Sequence, residues 1–244
     1  MIAKKQTNDD YVISYLLLRQ LIGILGIALP FALIFGNRLL GNGHWLQPSI
    51  SHYFYSYMHF AFVGVLFILG AILISYREKE YQLANRVSTF AGAFAFCVAI
   101  FPTKFNGFLK PEYLHIEDMY WKSWFKIIHF GSALMLFICF AIFCFFIFQK
   151  SDKDLKPADF DKKKKLRNRI YKICGWGIVI SIFMIAACTL YEKYVAITVF
   201  TKYSTFIFET TALLCFGISW LLKGSVNWKT GDSNLLRKMV APVR

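Results

Sequence analysis

Charge is what this chain has least of. Only 17% of its 244 residues are Asp, Glu, Lys or Arg, while 57% are hydrophobic, and a soluble domain carries about a quarter charged residues. The six cysteines, Cys97, Cys139, Cys144, Cys174, Cys188 and Cys215, all fall inside apolar runs. None has the paired spacing of a zinc or redox motif, so the expectation is packing as small hydrophobes rather than a disulfide framework. No small-residue cleavage site follows the first apolar run, which is too long for a signal peptide and is expected to stay as a helix. No internal repeat is evident, which removes the usual mark of an inverted-repeat transporter.

What is present is a series of long apolar runs. Six can be read, approximately 13–35, 57–75, 85–101, 124–148, 170–190 and 205–222. Each is long enough, at about 1.5 Å per residue, to approach or exceed the roughly 30 Å of a hydrocarbon core. They are too long and too evenly apolar for barrel strands, so helices are expected. The predicted fold is an all-α, six-helix integral membrane bundle forming a single domain over 1–244.

The net charge of +14 is placed as a topology signal rather than as a nucleic-acid surface. With the N-terminus inside, the inner side collects Lys4, Lys5, Arg19, Arg77, Lys79, Arg86, ten basic residues between Lys150 and Lys172, and Lys223, Lys229, Arg237, Lys238 and Arg244. The other side holds Arg38, Lys104, Lys110, Lys122, Lys126, Lys193 and Lys202. That excess of roughly three to one predicts both termini inside. The segment 149–169 is expected to be a cytoplasmic basic loop, and Lys162-Lys-Lys-Lys-Leu-Arg-Asn-Arg169 within it would attract anionic lipids. No aromatic platform accompanies the block, so nucleic acid is not an expected partner.

Within the apolar runs a few polar residues stand out. Arg19, one to two turns into the first helix, is expected to snorkel to the headgroups, with pairing to Asp9 or Asp10 as the other reading. Gly23 and Gly26 permit close helix contact, and Pro30 predicts a kink. Ser88, Gly92, Ala95 and Ala99 form a small-residue stripe expected to make the third helix the central one.

The densest run of hydroxyls and imidazoles is Pro48-Ser-Ile-Ser-His-Tyr-Phe-Tyr-Ser-Tyr-Met-His59, where a loop enters the second apolar run. His52, Tyr55 and His59 would share a face if a helix began near Ser51. His129 and Glu209 lie just inside the outer ends of the fourth and sixth runs, so these groups could converge at one depth. His52, His59 and His129 with a carboxylate or water would make a workable zinc set, although none lies in a compact motif such as HExxH. Ser49 or Ser51 could supply or orient a nucleophile, with Glu117 or Asp118 behind. An unpaired Glu209 would carry the largest desolvation cost of the set; a bond to His129 or Lys126 would relieve it.

Several segments together resemble a family. Arg19-Gln-Leu-Ile-Gly-Ile-Leu-Gly-Ile-Ala-Leu-Pro30, Ser49-Ile-Ser-His-Tyr-Phe-Tyr55, Phe62-Val-Gly64, Val98-Ala-Ile-Phe-Pro-Thr103, His129-Phe-Gly-Ser-Ala133 and Phe208-Glu-Thr-Thr-Ala-Leu-Leu-Cys-Phe-Gly-Ile-Ser-Trp220 occur in that order. The pattern is similar to a group of bacterial multi-pass membrane proteins known as a domain of unknown function, with Ser-Ile-Ser-x-Tyr-aromatic-Tyr as its most recognisable part. The resemblance implies a bacterial inner membrane and no established activity. Members often carry Arg-Asp where this chain has His59-Phe60, which argues against a role that needs His59 itself. A weaker resemblance, in residue types alone, is to the membrane hydrolases that include alkaline ceramidases.

The functional expectation is an outward-facing polar pocket for a lipid headgroup or small polar ligand, built from Ser49, Ser51, His52, Tyr55, His129 and Glu209. A membrane-embedded metal-dependent hydrolase or acyl-transfer enzyme is the first alternative. A structural or accessory subunit is the second, with a second copy or a membrane partner beside it.

Overall fold

In a computed structural model the chain is described over residues 8–40, 46–78, 81–104, 122–150 and 162–225, with side chains from residue 15 onward. Among the described residues there are six α-helices and no strand. They are α1 Asn8–Leu40, α2 His59–Ser75, α3 Gln82–Ile100, α4 Phe125–Ile142, α5 Lys162–Tyr194 and α6 Val199–Gly224, with a short 3-10 helix, Ile50–Tyr55, ahead of α2. A π-turn, Phe143–Ile147, extends α4. Every expected apolar run is a helix.

Among the described residues, five helical segments are long and apolar enough to cross a membrane: Tyr15–Leu40, Gln82–Ile100, Phe125–Ile147, Lys162–Tyr194 and Val199–Gly224. The remaining one, α2, is apolar but has 17 residues, about 25 Å of rise against about 30 Å of hydrocarbon. With several such helices in one chain, this is a multi-pass membrane protein. The aqueous ends of some helices run beyond the apolar runs. In α5 the expected basic loop is corrected over 162–169, which is helical; Lys and Arg are good helix formers, so the helix continues past the apolar segment. Residues 151–161 lie outside the described residues, as do His115, Glu117, Asp118 and the side chains of Asp9 and Asp10. At the other end, α6 starts where Thr198 and Thr201 bond each other's backbone N–H in a capping box, satisfying donors that a helix start leaves open.

The helices pack in chain order, each against the next, and the ring closes where α6 lies along α1. This corrects the expectation of a central third helix: α3 sits between α2 and α4 as one member of the ring. Its small-residue stripe is nonetheless buried, with Ser88, Gly92, Ala95 and Ala99 all against neighbours. Ser88 donates its hydroxyl proton to the Leu73 carbonyl of α2. A Cβ on Gly92 would stand 2.5 Å from the Gly70 carbonyl oxygen. The α1–α6 seam is equally close, since a Cβ on either Gly23 or Gly217 would lie 2.7 Å from the other's carbonyl oxygen. Without a hydrophobic drive between helices in lipid, this backbone proximity is what gives them contact area.

Aromatic rings fill the middle of the ring. Phe140 of α4 stacks on Phe216 of α6 with centroids 3.6 Å apart. Trp220 lies against Phe143, Phe148 and Tyr76 with centroids 4.9, 5.1 and 5.2 Å away. Along α6 the order is Glu209, Phe216, Trp220, so this apolar layer separates polar groups near Glu209 from those around Tyr76. Arg19 belongs to the latter group, which corrects the snorkelling expectation. It is fully buried; its Nε donates to the Tyr76 hydroxyl at 3.1 Å. Its guanidinium carbon sits 4.3 Å from the Tyr15 ring centroid, and Nη2 lies 3.6 Å from the Glu78 carboxylate. A cation placed between two aromatic faces and a carboxylate gains cation–π and charge attraction in place of lost hydration.

Candidate functional site

The polar cluster is organised by the short 3-10 helix. Ser49, in extended conformation, caps it by accepting the His52 backbone N–H on Oγ. The helix cannot run on into α2, because Ser56 ends it. Its Oγ donates to the Tyr53 carbonyl at 2.9 Å, and the same oxygen accepts the Met58 N–H at 3.1 Å. A serine that bonds nearby backbone in this way competes with helical hydrogen bonding. The proposed i, i+3, i+7 face of His52, Tyr55 and His59 is therefore broken between Tyr55 and His59. His59 instead meets the Phe54 carbonyl through Nδ1 at 2.6 Å.

Hydrogen bonds to three neighbours hold this segment in place. From α6, Glu209 Oε2 accepts the Ile50 N–H at 2.6 Å, and the Phe206 N–H donates to the Pro48 carbonyl at 3.0 Å. After α3, the Thr103 carbonyl accepts the Tyr55 hydroxyl at 2.6 Å. From α4, His129 Nε2 lies 2.9 Å from Ser51 Oγ, while its Nδ1 lies 2.7 Å from the Phe101 carbonyl oxygen. Ser49, Ser51, His52, Tyr55, His129 and Glu209 are thus brought to one region around residues 48–55. Glu209 takes neither expected partner; its acceptor role is filled by a main-chain donor.

The imidazoles differ in state. A carbonyl can only accept, so neutral His129 carries its proton on Nδ1 and presents a lone pair at Nε2 to the Ser51 hydroxyl. His52 Nδ1 lies 2.6 Å from Ser49 Oγ, and its Nε2 is out of contact with solvent and has no hydrogen-bond partner among the described residues. Burial, with His129 nearby, pushes the His52 imidazolium down to about 4, so the ring is neutral at neutral pH. Burial likewise pushes the adjacent Tyr53 phenol up to about 12. The cluster outside the membrane-spanning segments is thus a set of neutral donors and acceptors.

Among the described residues no three or more His, Cys, Asp or Glu side chains are placed to hold a metal ion. This corrects the zinc set of His52, His59 and His129, since both nitrogens of His129 are engaged and His59 turns to Phe54. The six cysteines are free and none is exposed. A separate open concavity of about 390 Å³ lies between α5 and α6, lined by Ala187, Cys188, Tyr191, Thr198, Phe200 and Thr201. It takes in no residue of the cluster. A second polar group, Tyr15, Arg19, Tyr76 and Glu78, is marked in the sequence only by an arginine within an apolar run.

Comparison with known proteins finds no matching family model, no matching curated protein and no matching solved structure.

Proposed function

We propose that this chain is a six-span bacterial inner-membrane protein, with both termini inside, whose polar cluster around Ser49–Tyr55 binds a lipid headgroup or small polar ligand on the outer side. The observation that carries the reading is His52 Nε2, a polar atom out of solvent contact and without a hydrogen-bond partner among the described residues. Leaving such an atom unsatisfied costs about 1–3 kcal/mol, which a ligand hydrogen bond would remove. Two further features support it. Glu209 brings its carboxyl group to the cluster, with Oε2 on the Ile50 N–H. The surrounding Ser49, Ser51, Tyr55 and His129 supply hydroxyl and imidazole groups at fixed positions, the kind of convergent polar set that orients a bound molecule.

Six crossings require α2 to be one of them, entered through the 3-10 helix; the short rise of α2 is compensated by local bilayer thinning. The inside assignment follows from the basic residues, and Lys162–Lys165 at the start of α5 would face anionic headgroups there. The test of the binding reading is lipid analysis of protein extracted into nanodiscs of phosphatidylethanolamine and phosphatidylglycerol and then stripped by detergent exchange. Wild type should retain one phospholipid class through the exchange. His52→Phe, which keeps a planar aromatic ring but has no nitrogen, and Glu209→Gln should each lose most of it. Equal retention in all three would sink the reading.

A further inference from the structure

We propose that Ser51 and His129 form a nucleophile–base pair for acyl transfer from a carboxylic ester at the membrane surface. The inference rests on the polar cluster of the binding reading, but on different atoms of it. The direction of the hydrogen bonds is the central observation. Phe101 contributes a carbonyl oxygen 2.7 Å from His129 Nδ1, and because that oxygen can only accept, it fixes the proton on Nδ1. Nε2 is then a lone-pair acceptor 2.9 Å from Ser51 Oγ, and the only proton between them is the serine's. Nucleophile, base and a third group orienting the base is the arrangement that activates a hydroxyl, here with a backbone carbonyl in the orienting place.

Position supports the roles. Ser51 and His129 are both buried, so bulk water does not compete for the hydrogen bond between them. The two come from different elements, the 3-10 helix and α4, and each is held independently. Ser51 sits in the segment anchored by the Glu209–Ile50 and Phe206–Pro48 bonds, and the ring by Phe101. His52, neutral at neutral pH, places no competing charge beside the base.

In the first step the Ser51 hydroxyl proton passes to His129 Nε2 as Oγ bonds to the ester carbonyl carbon. The tetrahedral adduct collapses with cleavage of the bond from that carbon to the alkoxy oxygen. The Nε2 proton goes to the departing oxygen, which leaves as an alcohol, and the acyl group remains on Ser51. Water or a second alcohol then adds to the acyl-serine, giving its proton to Nε2. That proton returns to Oγ as the acyl–Oγ bond breaks. The Phe101 carbonyl keeps the Nδ1 proton in place throughout.

The experiment is labelling of the full chain in nanodiscs with a fluorophosphonate probe, followed by peptide mapping. A phosphonyl adduct is expected on Ser51 and not on Ser49, a neighbouring buried hydroxyl in the same segment. It should vanish when the protein is unfolded before labelling. General-base help is worth about 10²–10⁴-fold, so His129→Gln should slow labelling by at least about 100-fold while its circular dichroism matches wild type. No adduct at Ser51 in folded wild type, or a rate that His129→Gln leaves unchanged, overturns the proposal. Should His129→Gln not fold, the wild-type map decides alone, since Ser51-selective labelling supports the pair and its absence refutes it. Lipid analysis of the same sample separates the two readings. Retained lipid without an adduct removes only the acyl-transfer inference, and an adduct without retained lipid removes only the binding reading.

Discussion

One methyl group, added at two glycines, should act with opposite sign. At Gly92 the new Cβ would stand 2.5 Å from the Gly70 carbonyl oxygen, 2.6 Å from Ile74 Cγ1 and 3.0 Å from the Ile74 backbone nitrogen. A carbon–oxygen contact is normally about 3.3–3.6 Å, so α2 and α3 must part by roughly 1 Å. The obstacle is mainly backbone, which cannot rotate out of the way as a side chain can. Parting also loosens the Ser88–Leu73 bond and dispersion contacts along the seam, where gaps of 0.5–1 Å forfeit about a quarter to a half of each contact. The expected cost of Gly92→Ala is about 1–3 kcal/mol, the range for overpacking. At Gly131 of α4 a Cβ would meet nothing within 4 Å. There the substitution removes only glycine's helix penalty, a gain of up to about 1 kcal/mol. Thermal unfolding in one detergent, followed by circular dichroism, reads both changes, at about 2–4 °C per kcal/mol for a chain of this length. Gly92→Ala should melt several degrees below wild type and Gly131→Ala at or slightly above it. A Gly92→Ala protein as stable as wild type would refute the close α2–α3 approach, whatever Gly131→Ala does.

Three further outcomes are expected. Arg19→Met should destabilise by about 3–5 kcal/mol, because it leaves Glu78 facing a half-apolar site without its cation. Adding Glu78→Gln should recover part of that loss in the same melt; equal melting of single and double variants would count against the pairing. Stability should fall as pH drops from about 6.5 to about 4, because the unfolded state takes up a proton on His52 that the folded state resists. The contribution is roughly 2–3 kcal/mol at most, and His52→Phe should flatten that part of the profile. For topology, a cysteine at Lys163 should react with a membrane-impermeant maleimide only after the cells are opened, and one at Lys126 should react in intact cells. The reverse pattern would invert the orientation.

The membrane class and the helices were legible in the sequence because they depend on a local property. A backbone in hydrocarbon must satisfy its own hydrogen bonds, so an apolar run of sufficient length is a helix whatever lies beside it. The burial of Ser88, Gly92, Ala95 and Ala99 was legible for a similar reason, since small residues on one face of a helix serve backbone contact. The short segment 48–59 was also identifiable as the polar centre, and Ser49, Ser51, His52, Tyr55, His129 and Glu209 do meet around it.

What only the tertiary structure decided is which polar atom faces which. The Ser56 break turned His59 away from His52. Closure of α6 onto α1 made a ring without a central helix. Arg19 found Tyr15, Tyr76 and Glu78 rather than the headgroups, and Glu209 found the Ile50 N–H rather than a side chain. Apolar burial is non-directional and adds along a run, so it can be summed from sequence. A hydrogen bond needs its partner within about 3 Å and correctly aimed, and that geometry exists only once the six helices have chosen their neighbours.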